Sequence, residues 1–167
     1  DEISVKSKKE VIVESEKEVK LKGKNIKMSG SKGITATNKQ IAKQNDKVMG
    51  FDTHIMVIPA GTSTANVPLP HPFIGQIKDK VSRDVKIGDK GVATKGSIAK
   101  HDDSMHMQLP GTIKFQSNPK KEGEVTGGTV SKVKVNGKEV AVLGSQVTTC
   151  NDMGMQNNST IVSIGAS

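Results

Sequence analysis

Four histidines and one cysteine carry most of the chemistry that this 167-residue chain can offer. His54 stands in FDTHIMVIP, His71 in VPLPHPFIG, His106 in MHMQLP, Cys150 in TTCND and His101 in KHDDS. Imidazole and thiolate together make the donor set of closed tetrahedral metal sites. A lone cysteine cannot close an internal disulfide, so its thiol is buried, reactive or metal-bound. His71 lies between Pro70 and Pro72. Proline fixes its own φ and restricts the residue before it, so this imidazole sits on a stiff, extended backbone that cannot join a helix. Taken singly, each donor has an ordinary reading as a packed or exposed histidine, or as a small buried hydrophobe. Their joint placement on the hinges of separate strand-turn units is what points to a metal.

Catalytic chemistry fits less well. A zinc hydrolase needs three ligands, an open position and a nearby general base such as the glutamate of HExxH, and no such motif occurs. Asp102, Asp103 and Asp152 are available carboxylates, but acids beside His and Cys in loops more often shape turns or orient ligands. No nucleophile-elbow motif is present. The chain is expected not to be an enzyme.

Composition sharpens the case for a metal or a partner. Hydrophobic residues make up 33% and aromatics 2%, with three Phe and neither Trp nor Tyr. A chain so short of apolar mass usually relies on a metal, disulfides or partner subunits. The net charge of +8 reads as a solvated lysine-rich surface. Nucleic-acid binding would call for arginine and stacking aromatics, whereas Arg83 is the sole arginine. No apolar run reaches the roughly 20 residues of a membrane helix, and no signal peptide opens the chain. The start at Asp1 suggests a fragment or an engineered chain.

The elements that would position these donors are strands. Over residues 1–37, apolar pairs recur as Ile3/Val5, Val11/Val13, Val19/Leu21 and Ile26/Met28, with Ile34 following. The step is eight residues, slipping once to seven, and each pair alternates with period 2, the signature of a strand with one buried face. Such a unit cannot bury its apolar side alone and must stack on further turns or on copies of itself. A β-helix or β-prism stalk built by several chains is expected there. Residues 38–50, NKQIAKQNDKVMG, are polar and aperiodic until Val48 and read as a linker.

From Phe51 to Ser167 the texture is short strands punctuated by Gly, Pro and Asn, with an internal repeat. VKIGDKGVATKGS (85–97) aligns without gaps on VKVNGKEVAVLGS (133–145). Asn136-Gly137 is a two-residue hairpin signal, and Gly88-Asp89 takes the same place in the first copy. A second likeness links His54-to-Pro59 with His106-to-Pro110, each a histidine leading an apolar strand into proline.

Together these motifs resemble the PAAR-repeat family, the small conical tips that sharpen the spikes of type VI secretion systems and related extracellular injection particles. The likeness rests on FDTHIMVIP, VPLPHPFIG, DVKIGDKGVA, MHMQLPGTIKF, VKVNGKEVAVLGS and TTCND, spread over nearly all of residues 50–167. The Pro-Ala-Ala-Arg tetrapeptide itself is absent; its place after the hairpins reads GVAT and EVAV. Residues 1–37 resemble the C-terminal β-helix of VgrG-type and phage central-spike proteins, in which three chains wrap into a triangular needle.

The resemblance implies an all-β fold: a trimer-forming β-helical segment (1–37), a linker (38–50) and a metal-pinned PAAR-like tip (51–167). It implies one structural zinc per tip, held by His54, His71, His106 and Cys150; the internal repeat, in which His101 aligns beside Cys150, offers His101 as a ligand in place of His106 or His71. It implies a membrane-piercing structural role capping a trimeric VgrG-like needle, as a homotrimer through residues 1–37 or with shorter spike chains. Effector cargo and transient contact with a target membrane are further expectations, as are assembly in a bacterial cytoplasm and ejection into the target envelope. A metal-linked trimeric tail fibre or adhesin is the alternative.

Overall fold

In a computed structural model, the described residues are 19–21, 26–28, 35–36, 38–101, 106–154 and 159–163. They are all β, with no helix among them. The short strands β1 (Val19–Leu21), β2 (Ile26–Met28), β3 (Thr35–Ala36) and β4 (Lys39–Gln40) lead into a long hairpin of β5 (Lys47–Ala60) and β6 (Ser63–Asp79). Then follow β7 (Val85–Ile87), β8 (Lys90–Gly91), β9 (Ile98–His101), β10 (Lys114–Phe115) and β11 (Glu122–Gly127). The chain ends with β12 (Val130–Val135), β13 (Lys138–Val140), β14 (Gln146–Thr148) and β15 (Ser159–Ser163). The largest sheet has seven strands in the order β10-β5-β15-β14-β11-β9-β6, with β5 also paired to β6.

The internal repeat folds as two like hairpins, β7–β8 and β12–β13, each closed by a two-residue turn. Asn136 and Gly137 both have positive φ, 51° and 81°, as a type I′ turn requires, while the first copy places Gly88 at φ 61°.

A third copy lies within residues 38–50, the stretch read in the sequence as a linker. Ile41-Ala42-Lys43, Val92-Ala93-Thr94 and Val140-Ala141-Val142 occupy equivalent places. They are joined by the cyclic bridges Ile41–Val142, Val92–Lys43 and Val140–Thr94. At the centre, Ala42 N donates to Ala141 O (2.9 Å), Ala141 N to Ala93 O (3.0 Å) and Ala93 N to Ala42 O (2.8 Å). Three backbones meeting this closely leave room for only small side chains, and all three alanines are fully buried.

Each copy then turns in the same way. Lys43 N donates to Asp46 Oδ2 (2.8 Å), Thr94 N to Ser97 Oγ (2.9 Å) and Val142 N to Ser145 Oγ (2.9 Å). The left-handed residue of the turn is Asn45, Gly96 or Gly144, types that tolerate positive φ. The first copy escapes a sequence match because it uses Asn-Asp where the others use Gly-Ser. Its Lys43 is also buried, 3.3 Å from Asp46 Oδ1.

Two apolar clusters flank this closure. One includes Ala42, Val48, Phe73, Ile77, Val125, Val147 and Ile161; the other includes Ile41, Val85, Ile87, Val92, Val135 and Val142. The second carries the strands on which the N-terminal segment lies. β1 pairs in parallel with β12, from Val19↔Val133 to Leu21↔Val135, and β2 in parallel with β7, from Ile26↔Val85 to Met28↔Ile87. The repeat pairs Val19/Leu21 and Ile26/Met28 therefore fall on the same positions of the two hairpins. Of the rest of the expected 1–37 stalk, Thr35–Ala36 form β3, which pairs antiparallel with β4, while Ile3/Val5, Val11/Val13 and Ile34 lie outside the described residues.

The β5–β6 hairpin projects the chemistry. Along β5 the buried side is Val48, Asp52, His54 and Met56, and along β6 it is His71, Phe73 and Ile77. The donors thus continue the core beyond the apolar layer. Gly75 lets β9 approach, since a Cβ there would meet Lys100 O at 2.5 Å.

β9 pairs with β6 only from Gly75 to Asp79. The Pro72 carbonyl points away from β5, to His101 Nε2 at 3.1 Å. In an extended strand, N and C=O of one residue share a side and alternate along the chain. The nitrogens of Pro68, Pro70 and Pro72 therefore all lie on this outer edge. A row of prolines there costs no ladder hydrogen bond and blocks addition of a further strand.

A candidate metal centre

Asp52 and His54 reach the centre from β5, two residues apart and therefore on one face. His106 comes from the segment before β10, and Cys150 from just after β14. Residues 151–152 fasten that last segment to β5. Thr53 N donates to Asn151 Oδ1 (2.6 Å), Ile55 N to Asp152 Oδ2 (2.9 Å) and Asp152 N to Thr53 O (3.0 Å).

The donor atoms converge. His54 Nε2 and His106 Nε2 are 3.0 Å apart, and Cys150 Sγ lies 3.9 and 3.8 Å from them. Asp52 Oδ2 is 3.1 Å from Cys150 Sγ, 3.3 Å from His106 Nε2 and 4.0 Å from His54 Nε2. Six edges of this size enclose a point about 2.2 Å from each vertex, the bond length a divalent ion makes to nitrogen, oxygen and sulfur ligands. Asp52, His54 and His106 are buried and Cys150 is half-buried. This buried group can hold a metal ion.

Of the four residues the sequence put forward, His54, His106 and Cys150 meet here. His71 stands against them, its ring centroid 5.4 Å from that of His54 and 6.2 Å from that of His106. Its Nδ1 is 3.1 Å from its own strand's Leu69 O, and its Nε2 is buried with no hydrogen-bond partner. Phe115 closes this side, 5.2 Å from His71 and 5.8 Å from His54 between ring centroids. His101 packs on Phe73 and on His106, with Nε2 at the Pro72 carbonyl rather than among the donors. Asp102 and Asp103 lie outside the described residues.

Asp52 is the donor that sequence reasoning missed. The available signal was its place two residues before His54 in an alternating strand. Asp152 proves to be a partner of a donor, its Oδ2 3.3 Å from His54 Nδ1.

The electrostatics follow from burial. Burial would raise the Asp52 carboxyl, but hydrogen bonds from His106, Thr149 and Cys150 together outweigh it and hold it below its ordinary value. Burial lowers His54, opposed by Asp152, and lowers His71, opposed by the Leu69 carbonyl, so both favour the neutral, metal-ligating form. Burial, then the Asp52 charge, pushes the Cys150 thiol up to about 12. Without a cation this thiol keeps its proton and donates it to Asp52.

No protein-family model matches the chain, and no curated protein or solved structure does either.

Proposed function

We propose that the chain is a structural spike tip, capping and sharpening the trimeric β-helical needle of a contractile injection machine, with a zinc ion stiffening its point. The observation that carries this reading is the three-copy closure around Ala42, Ala93 and Ala141, with β1 and β2 stacked in parallel on two of its faces. A body with three like faces, built by one chain, fits the blunt end of a three-faced needle strand for strand. The metal cage, set beyond the apolar core along the β5–β6 hairpin, would fasten β5, the His106 segment and the Cys150 segment together.

Zinc suits such a site because it is redox-inert and accepts imidazole, thiolate and carboxylate in tetrahedral geometry. His54, His106 and Cys150 would hold it, with the fourth position open to His71 or Asp52. The function is mechanical, and the cage serves it by rigidity.

The donors come from different positions of a single chain, which favours this reading over a fibre whose metal sits on a three-fold axis between identical residues. Mixing the chain with the trimeric β-helical end of a spike protein and weighing the complex in solution tests it. One chain per needle trimer is expected; failure to associate with any such trimer removes the tip assignment.

A further inference from the structure

We propose that residues 1–37 wind as a single-chain, three-faced β-helix, in which Val11–Val13 lie parallel on the edge of β3 that faces away from β4. No second copy of the chain is needed, whether or not the chain caps a needle.

The first copy of the repeat reaches back beyond residue 38. Residues 34–46, ITATNKQIAKQND, align without gaps on VKIGDKGVATKGS (85–97) and VKVNGKEVAVLGS (133–145). The hairpin registers agree across all three. Thr35↔Gln40 and Ala36↔Lys39 match Lys86↔Gly91 and Ile87↔Lys90, and again Lys134↔Glu139 and Val135↔Lys138. Ala36, Ile87 and Val135 are buried alike. β3 is therefore the first strand of its copy, as β7 and β12 are of theirs.

On the other two copies this first strand carries a parallel neighbour from the N-terminal segment, β2 on β7 and β1 on β12. In chain order the segment thus visits the third copy, then the second, and then becomes the first. It moves one face per step, seven residues from Val19 to Ile26 and eight from Ile26 to Ile34. A step of eight back from Val19 reaches Val11, and the face then due is that of β3. Val11 precedes Ile34 by 23 residues, and Ile3 precedes Ile26 by the same 23. One circuit of the three faces therefore brings Val11/Val13 level with Ile34/Ala36, and Ile3/Val5 level with Ile26/Met28, with the alternation in phase.

Pitch separates one chain from three. In a needle of three intertwined chains, each chain leaves room for two foreign strands per circuit, so it drops a full strand spacing of about 4.8 Å at every face. β2 would then touch β7, but β1 would stand off from β12 with another chain's strand between them. Instead Val19, Lys20 and Leu21 pair directly with Val133, Lys134 and Val135. A drop of one spacing per whole circuit is the winding of a single chain. The connections suit it. Four residues separate Leu21 from Ile26 and five separate Val13 from Val19, all of them Lys, Glu, Ser, Gly or Asn, as corners require. Tethers this short hold the next strand at an effective concentration on the order of millimolar, which favours pairing within the chain.

Three measurements on the full chain test this. Sedimentation equilibrium at micromolar concentration is expected to give the mass of one chain, 17.7 kDa. Thr35, Lys86 and Lys134 each stand one residue before the pair that closes their hairpin, so their N–H groups point away from it. Amide exchange at these three positions should agree within about tenfold, since each meets a parallel neighbour. The double variant Ile12→Cys/Thr35→Cys is then made in ordinary and heavy-isotope forms, which are mixed, unfolded, refolded and oxidised. The disulfide between positions 12 and 35 should join peptides of like isotope only. Val13→Cys/Thr35→Cys, one residue out of register, should link severalfold less. A three-chain mass, linked peptides of mixed isotope, or equal linking by both pairs overturns the proposal. So does a Thr35 amide that exchanges more than about a hundredfold faster than those of Lys86 and Lys134 in the unsubstituted chain, a result that needs no variant to fold. Failure to bind any needle end would remove the tip assignment and leave these outcomes unchanged.

Discussion

The Cys150 thiol donates to the Asp52 carboxylate across 3.1 Å, which ties the protonation of one residue to the charge of the other. With the thiol pushed up to about 12, ion binding must expel its proton. Titrating the metal-free chain with zinc in weakly buffered solution near pH 7 is therefore expected to acidify the solution by close to one proton per site. Cys150→Ser should abolish that release. Zinc uptake without acidification would mean that the thiol is not a ligand.

The metal-free chain should have a bounded pH range of full stability. His54 and His71 are lowered from their ordinary 6.5 by burial, so the unfolded chain binds more protons below that value and stability falls as pH drops through it. Asp52, also lowered, extends the loss further into acid. Cys150 is raised from 9.0 to about 12, so its contribution is whole below 9.0 and is lost as pH rises toward 12. Urea unfolding at a series of pH values should show a plateau between about 6.5 and 9 with a fall on both sides. Stability unchanged down to pH 5 would contradict the burial of these rings.

The three-copy closure makes a comparative prediction. Ser97 and Ser145 each supply the side-chain acceptor of a turn amide at equivalent places, Thr94 N and Val142 N. Removing either hydroxyl strands a buried N–H, so Ser97→Ala and Ser145→Ala should each cost about 1–3 kcal/mol and by similar amounts. Asp46→Ala should cost more than either, because it removes both the acceptor of the Lys43 amide and a carboxylate partner of the buried Lys43 ammonium. Denaturant midpoints measure all three. A neutral Asp46→Ala would deny the first copy its place in the core.

Much of this was legible from residue order, and what was not has identifiable causes. His54 was legible as the head of an apolar strand, His71 as a stiff extended stretch between prolines, and NGK marked the β12–β13 turn; that the two stretches pair with both rings buried on one face emerged only in the fold. The first copy of the closure stayed hidden because Asn45 and Asp46 perform the work of Gly96/Ser97 and Gly144/Ser145 with different side chains, while Lys43 replaces a small or apolar residue. Asp52 was passed over because carboxylates are common, and only convergence in space distinguishes one that faces a thiol. The prolines around His71 carried a second message, edge protection, which depends on which strand lies on which side of β6.

That edge can be tested on its own. Replacing Pro68, Pro70 and Pro72 by threonine keeps strand propensity and returns three N–H donors to an edge that no strand covers among the described residues. The triple variant should remain folded and self-associate at concentrations where the parent is monodisperse, as sedimentation velocity would register. A variant no more associated than the parent would show that the prolines serve His71 alone.

The central claim is that a single ion pins β5, the His106 segment and the Cys150 segment into one rigid unit. Its most direct measurement is the melting temperature of the full chain before and after exhaustive chelation, with elemental analysis of both samples. The account predicts one divalent ion per chain at the start and none afterwards. It also predicts a loss of at least about 3 kcal/mol, seen as a drop of roughly 6–12 °C and restored by adding zinc. A chain that carries no metal as purified, takes up none, and melts at the same temperature with and without chelator would contradict it.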